Sequence, residues 1–522
     1  MEQEKIEKKH KRIMIYVMII SLICVVGVSY AFFTAGMSSE TSTTVRTDAG
    51  IMKITYSGGA NINLAGIYPK DDVWATKTIT VTGNNTTDAE MYYKLTLVVD
   101  SNTFKTDDPL QYELVSTNTS TNGKIIPNIS KTNITGTSIE LGSGHFKKAN
   151  NAKHTYLLKI YYPKKSTSQN ANQGAAFSAH VEITSAKAPT VINLVKAIRA
   201  NNEVKAPITT PGAAVSTASE ALLASTEDDY GTSYYFRGAV TNNYVEFANK
   251  CWRIVRVGGD GSVKLILHND NTTGVANPCD AANNSASAAF ARYSGTTYKS
   301  AFNTNYNDNA YVGFKFGTVG SSTYEATHAN TNNSTILTNL EAWYNNNDNF
   351  KKYEKVIADT VWCNDKTNVT DTTYNPWNMS NVNGLGYGTN TTYYGATQRL
   401  VSKSNSAGGT GPSLKCNGEL SKIASKVGLI TADELAYAGY AWNIGNTTTY
   451  LQENATDTYW WSLSPGIFVG SSAGVWRVGG SNGGLNRSGV DYTGGLRPSI
   501  SLKSTTSVTG EGTSSSPYII SM

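Results

Sequence analysis

Charge and histidine are what this sequence has least of. Charged residues are 16% of its 522 residues, and the net charge is +5, of which +2 falls within the first twelve residues. So small an excess is too weak for association driven by phosphate neutralisation, and no nucleic-acid partner is expected. There are 6 histidines, none after His328, and the cysteines form no CxxC pair. A zinc centre draws on closely spaced Cys and His, so no metal and no cofactor are expected. A Ser-His-Asp hydrolase would need Ser464 and Asp491 to meet His268 or His328 from far upstream, and no nucleophile elbow is expected. Gly258-Gly259-Asp260-Gly261 lacks the Gly-Lys and the helix start of a phosphate-cradling loop. With these elements missing, the chain reads as non-enzymatic.

What is abundant is neutral polarity. Tyr (31) and Gly (46) are frequent, and much of the rest is Asn, Thr and Ser, a mixture that suits strands, turns and an extracellular surface. The basic stretch "KIEKKHKR" precedes "IMIYVMIISLICVVGVSYAFF", an uncharged run long enough, at roughly 20 residues, to cross a bilayer. It predicts export, with residues 1–33 acting as a signal peptide, cleaved near Ser29-Tyr30-Ala31, or as a retained membrane anchor. The membrane is expected as a partner only through this segment. The other four cysteines, Cys251, Cys279, Cys363 and Cys416, are even in number, and in an exported chain that predicts two disulfides.

A chain of this length holds several domains. From Ile51 to Ile183 the apolar pattern has period two: Tyr93, Leu95, Leu97 and Val99; Tyr156, Leu158, Ile160 and Tyr162; Phe177, Ala179, Val181 and Ile183. This predicts a jelly-roll or immunoglobulin-like β-sandwich over residues 40–187. Residues 188–230 read as a short helix, capped by Thr190 and marked by Val191, Leu194, Val195 and Ile198, followed by the linker "KAPITTPGAAVSTAS". Residues 231–505 read as an α+β domain. Its runs "YVEFANKCWRIVRV" and "SVKLILH" flank a Gly-Gly-Asp-Gly hairpin turn. One helix runs from Ser334 through Leu337, Leu340 and Trp343, and another begins at Thr431 with a Thr431/Glu434 capping box and ends at Gly439. Short strands follow around "YWWSLSP", "GVWRVGG" and "LRPSISL". Residues 269–333 read as surface loops and 506–522 as a tail. Four cysteines allow three pairings; Cys363 and Cys416 border the stretch between the two helices, which favours Cys363–Cys416 and leaves Cys251–Cys279.

Two resemblances go with these phrases. "SYAFFT", "GIMKITY" and "INLAGIYPKDDVWATKTITVTGNNTTDAEMYYKLTLVV" resemble the TasA/camelysin-like exported matrix proteins of Gram-positive bacteria over about residues 25–187. That resemblance implies a jelly-roll-like sandwich at the cell surface and a part in fibre assembly. "GLITADELAYA", "YWWSLSP", "AGVWRVGGSNG" and "GLRPSISL" resemble the formylglycine-generating-enzyme branch of the C-type-lectin-like fold over about residues 230–505. This branch includes the variable ligand-binding proteins of diversity-generating retroelements. "KCWRIVR", "CND" and "GTSSSPYII" are similar to phrases in exported proteins of gut Firmicutes. Enzymes of the branch bind copper through a late cysteine pair, and no cysteine follows Cys416 here. The resemblance therefore implies a binding domain and no enzyme.

The expectation is a cell-surface recognition or adhesion protein whose sandwich stalk displays a lectin-like domain to a surface ligand, protein or glycan. The alternatives are a structural matrix component with homotypic assembly and, behind it, a surface hydrolase. The expected ligand-binding residues are Trp460, Phe468, Arg477, Asn482, Asn486, Arg487, Asp491 and Tyr492, a palette of flat apolar area and hydrogen-bonding groups. Trp461, Val475, Trp476 and Ile500 are expected in the core.

Overall fold

The computed structural model describes residues 43–47, 50–86, 88, 90–119, 122–185 and 191–521. The apolar N-terminal run and Thr190 lie outside these residues. Among the described residues no helix is long and apolar enough to cross a membrane. The chain is mainly β and divides into two compact units, residues 1–189 and 190–522.

Unit 1 contains β1 (Thr43–Thr47), β2 (Gly50–Ser57), β3 (Ile62–Ala65), β4 (Lys70–Asn85), β5 (Met91–Asn102), β6 (Gln111–Ser116), β7 (Ile129–Asn133), β8 (Ser138–Phe146), β9 (Ala149–Tyr162) and β10 (Ala176–Ser185). They form a six-stranded sheet, β1-β2-β4-β9-β6-β7, and a four-stranded sheet, β3-β10-β5-β8. Along β5 every second residue from Met91 to Val99 is buried, as the period-two reading requires. Register aligns these inward sets: Ile79 opposes Tyr156 between β4 and β9, and Leu97 opposes Val181 between β5 and β10. A one-residue slip would turn each set outward. Both sheets feed one core, with Ile79, Tyr156 and Leu158 from the first and Leu95, Leu97 and Val181 from the second. The polar rings admitted to it pair with one another: Tyr93 Oη lies 2.6 Å from both Tyr156 Oη and His154 Nδ1.

Unit 2 begins with β11 (Ile192–Asn193), α1 (Leu194–Asn201), β12 (Ala221–Asp228), β13 (Gly231–Gly238), β14 (Tyr244–Phe247), β15 (Lys250–Val257) and β16 (Val263–Asn269). Its middle holds β17 (Lys299–Ala301), β18 (Lys315–Phe316), α2 (Tyr324–His328), β19 (Asn332–Asn333), α3 (Thr335–Asn345), α4 (Asp348–Lys352), β20 (Thr360–Cys363), β21 (Thr392–Tyr393), α5 (Gly395–Leu400), β22 (Lys422–Ser425) and α6 (Ala432–Ala438). It closes with β23 (Trp460–Val469), β24 (Ser472–Val478), β25 (Leu485–Gly489), β26 (Thr493–Gly495), β27 (Ser499–Leu502), β28 (Ser507–Thr509) and β29 (Tyr518–Ser521). A nine-stranded sheet is organised around β15, which pairs with β13, β14 and β16. A six-stranded sheet runs β17-β26-β23-β24-β25, with β21 added to β23. The predicted hairpin is present: β15 and β16 are antiparallel, Val257 opposes Val263, and Gly261 takes φ +78° in the turn. α3 is capped by Ser334, and α6 carries the Thr431/Glu434 capping box and ends at Gly439. Cys251–Cys279 and Cys363–Cys416 are bonded, with Cα separations of 5.0 and 5.5 Å.

Four stretches differ from the sequence reading, each because partners distant in sequence hold them. α1 starts at Leu194, where Asn193 caps it by accepting from Lys196 N and is itself held by Nδ2 donating to the Ser504 carbonyl at 2.7 Å, and Val191 is exposed. The "linker" is bound down: Ile208 N donates to Glu220 Oε1 at 2.8 Å, and Arg237 Nη2 donates to Thr209 Oγ1 at 2.6 Å. Glu220 and Arg237 form a fully buried ion pair at 2.9 Å. Residues 269–333 are not surface loops alone, since Phe290, Phe302, Val312 and Phe314 are fully buried. The last residues are no tail: β28 and β29 join the large sheet and bury Val508 and Tyr518.

Cys251–Cys279 closes a separation of 28 residues beside Tyr244. Replacing both cysteines by serine should lower stability by about 3 kcal/mol while leaving the fold intact. Denaturant unfolding, with near-ultraviolet circular dichroism as the check on the fold, measures it.

Candidate functional site

The expected ligand residues lie around the β23–β24–β25 ladder. β24 sits between the other two: Trp461 opposes Arg477, and across to β25 Trp476 opposes Arg487 and Arg477 opposes Asn486. Side chains alternate faces along a strand, so this register sends Arg487 to the same face as Trp476, and Arg477 to the other face with Asn486 and Ser488. The expected set is thereby divided in two.

On the first face a file of rings leads from the core to the surface. Trp476 is fully buried and meets Trp442 edge-on at 5.3 Å; Trp442 meets Trp377 at 5.4 Å; the Arg487 guanidinium lies 4.2 Å over Trp377. One acceptor, Asn405 Oδ1, takes the indole N–H of both Trp377 and Trp442 at 3.0 Å. This fixes the ring planes. Arg487 is half-buried, and burial lowers its pKa from the ordinary value. Its side chain forms no ion pair and donates no hydrogen bond among the described residues, and Nε is buried without a partner. A guanidinium carries five donors, so this one is held in place with its hydrogen-bonding capacity unused.

On the second face Arg477 Nε donates to Ser488 Oγ at 2.7 Å and its guanidinium stands 4.8 Å over Tyr459. Burial pushes the Tyr459 hydroxyl up to about 12, opposed by the Arg477 charge and assisted by Asp491 and Tyr492. Tyr492 is 64% exposed. The turn between β24 and β25 is shaped by glycine: Gly483 has φ +62°, and a Cβ there would strike the Asn446 carbonyl. Asn482 is exposed in that turn and its Oδ1 accepts from Gly484 N at 3.0 Å, while Asn486 Nδ2 reaches Asn443 Oδ1 at 3.3 Å.

Two expectations are corrected. Trp460 and Phe468 are fully buried, because β23 is covered on both faces, and neither presents a ring to a ligand. Trp461, Val475, Trp476 and Ile500 are buried as expected, but not through alternation, since consecutive residues of β23 and β24 are buried on both faces. The residues that sequence reasoning missed are Trp377, Asn405, Trp442 and Tyr459. Trp377 and Asn405 lie in irregular chain far upstream, where no periodicity marks them.

The groups of the hydrolase alternative each have other neighbours. Ser464 Oγ accepts from Ala432 N at 2.9 Å, His268 is buried beside Asn454 and Glu453, and Asp491 stands by Tyr459. Gly479-Gly480-Ser481-Asn482-Gly483 does have the spelling of a nucleophile elbow, but it joins two antiparallel strands and feeds no helix. Among the described residues no group of three or more His, Cys, Asp or Glu side chains is placed to hold a metal ion.

A cavity of about 120 Å³ lies elsewhere in unit 2, walled by charged groups and by Cys363–Cys416. Glu434 anchors it: Oε1 receives Lys264 Nζ at 2.6 Å and Arg256 Nε at 2.8 Å, and Oε2 receives Thr431 N at 2.9 Å. Arg256 also reaches Asp228 at 3.0 Å, and Arg399 binds Asp365 and Asp433, each at 2.7 Å. Ligand pockets run to roughly 300–1,000 Å³, so this space suits a few waters around an ion-pair network better than a ligand.

No protein-family model matches the chain, and no curated protein sequence matches it. Among solved structures one match is the P-domain of Macrobrachium rosenbergii nodavirus, at 12% identity and a TM-score of 0.11, over 26% of this chain and 94% of that one.

Burial raises the Glu434 pKa, but the Lys264 and Arg256 charges and hydrogen bonds outweigh it and hold the carboxyl at about 2, against an ordinary 4.5. A depressed carboxylate contributes stability that is complete above 4.5 and is lost as pH falls towards 2. Glu434→Gln should cost about 3 kcal/mol or more by leaving the buried Lys264 without its carboxylate and Arg256 with Asp228 alone. It should also flatten the acid limb of stability, read from denaturant midpoints across that pH range.

Proposed function

We propose that the chain is an exported cell-surface recognition protein. In this reading unit 1 is a β-sandwich stalk, supported by its two sheets sharing one core and by the TasA/camelysin-like phrases. Unit 2 is a C-type-lectin-like binding domain, supported by the strand and helix order and by the formylglycine-generating-enzyme-like phrases. Two disulfides suit an oxidising, extracellular setting. The ligand is a protein or glycan bearing a carboxylate or sulfate, and no catalytic step is assigned.

The observation that carries this reading is Arg487, a half-buried guanidinium clamped on the Trp377 ring with no acceptor of its own among the described residues. A planar cation that is already ordered gives up little entropy on binding and forms paired hydrogen bonds with an anionic group. The Trp377 ring beside it supplies apolar area for a sugar face or a side chain. Tyr459, Arg477, Asp491 and Tyr492 form a second contact region on the opposite face of the ladder.

A second reading, homotypic assembly into fibres, is favoured by the open edge of the six-stranded sheet at β7, where Ser130, Lys131, Thr132 and Asn133 are exposed. Electron microscopy of the purified chain distinguishes it, since a strictly monomeric protein removes it.

The test of the first reading is binding of the purified chain to an array of sulfated, sialylated and neutral glycans and acidic peptides. Acidic probes should be preferred, and Arg487→Gln should weaken them about tenfold, equivalent to about 1.4 kcal/mol, with the thermal midpoint unchanged. Equal binding by the variant and the parent overturns the assignment.

A further inference from the structure

Lys366 is fully buried, yet among the described residues it has no carboxylate partner. A lysine is almost never wholly buried unless paired. Its backbone is pinned on both sides, the amide donating to Ser421 Oγ at 3.1 Å and the carbonyl accepting from Tyr324 Oη at 2.8 Å. Nζ is thereby delivered to one place. It lies 2.6 Å from Asn330 Oδ1, with the His328 and Lys315 carbonyls at 3.0 and 3.1 Å. The Asn330 carboxamide is held from its other end, where Nδ2 donates to the Leu420 and Lys422 carbonyls at 3.2 and 3.4 Å. A fully buried amine and a half-buried carboxamide are thus held side by side.

We propose that Lys366 and Asn330 are joined by an intramolecular isopeptide bond. The Nζ lone pair attacks Cγ of Asn330, the Nζ–Cγ bond forms and the Cγ–Nδ2 bond breaks. One proton passes from Nζ to the departing nitrogen, which leaves as ammonia. No oxidant or co-reactant is consumed. Burial without a counter-charge lowers the Lys366 amine from 10.5 to about 7, so the nucleophilic free base is plentiful at neutral pH. The bond would tie together segments 36 residues apart, next to the Cys363–Cys416 bridge but insensitive to reduction.

The test is the intact mass of the purified chain, reduced and denatured, together with a tryptic map. The chain should weigh one ammonia less than its processed sequence, and a branched peptide should join Asn330 to Lys366, with no cleavage after Lys366. Asn330→Ala and Lys366→Arg should each return to their full sequence mass and lose the branched peptide. The measurement on the unsubstituted chain decides by itself, whether or not a variant folds. Full sequence mass with ordinary cleavage after Lys366, in protein that has both disulfides and unfolds cooperatively, overturns the proposal and leaves Lys366 as a lysine that only donates hydrogen bonds.

Discussion

The acceptor group of Glu434 is the point on which unit 2 depends. A single buried carboxylate receives Lys264 from β16, Arg256 from β15 and the amide of Thr431 at the start of α6. It is at once the third residue of a capping box and the counter-charge of a sheet. Each ion alone would be costly to bury, and the cluster is tolerable only because every partner is present and aimed. From that point the arrangement spreads. Arg256 reaches Asp228 on β12, and Asp433, next to Glu434, binds Arg399 on α5, which binds Asp365. The helix start, two central strands and the chain around Cys363–Cys416 are therefore placed by one connected network.

What this placement provides at the surface is order. The β23–β24–β25 ladder is supported from within by Trp460, Trp461 and Trp476, all fully buried. A strand pair anchored so heavily on its inner side can carry polar groups at its rim without shifting. Arg487 is the clearest case, since its orientation comes from Trp377, and that ring is oriented by Asn405. The guanidinium is fixed by stacking, so its donors remain available. Arg477 differs in having Ser488 as an acceptor and Tyr459 beneath it.

Local features were legible where the physics is local. The alternation of Tyr93, Leu95 and Leu97 specifies a strand with one buried face, and it is one. Thr431 and Glu434 specify a helix start because each satisfies the other's backbone amide, and that start is present. The turn at Gly258 to Gly261 follows from its need for positive φ. Illegible were the segments whose partners are remote. "KAPITTPGAAVSTAS" has the composition of a linker, yet Glu220 and Arg237 hold it. The chain's end reads as a polar tail, yet β14 and β11 offered it sheet edges. Phe468 and Trp460 looked like binding residues because an aromatic in a polar, glycine-rich stretch has the same spelling whether it faces a ligand or a core.

The sequence by itself determined the mainly β character of the chain, the hairpin, the capped helices and the supply of four cysteines for two bridges. These follow from side-chain period, backbone φ and capping, which act over a few residues. Only the tertiary structure decided which aromatics face inward, that Arg477 and Arg487 stand on opposite faces of one ladder, that Trp377 meets Arg487, and that Lys366 meets Asn330. Those outcomes depend on strand register and on contacts between distant segments, and a side chain carries no mark of the partner that the fold will bring to it.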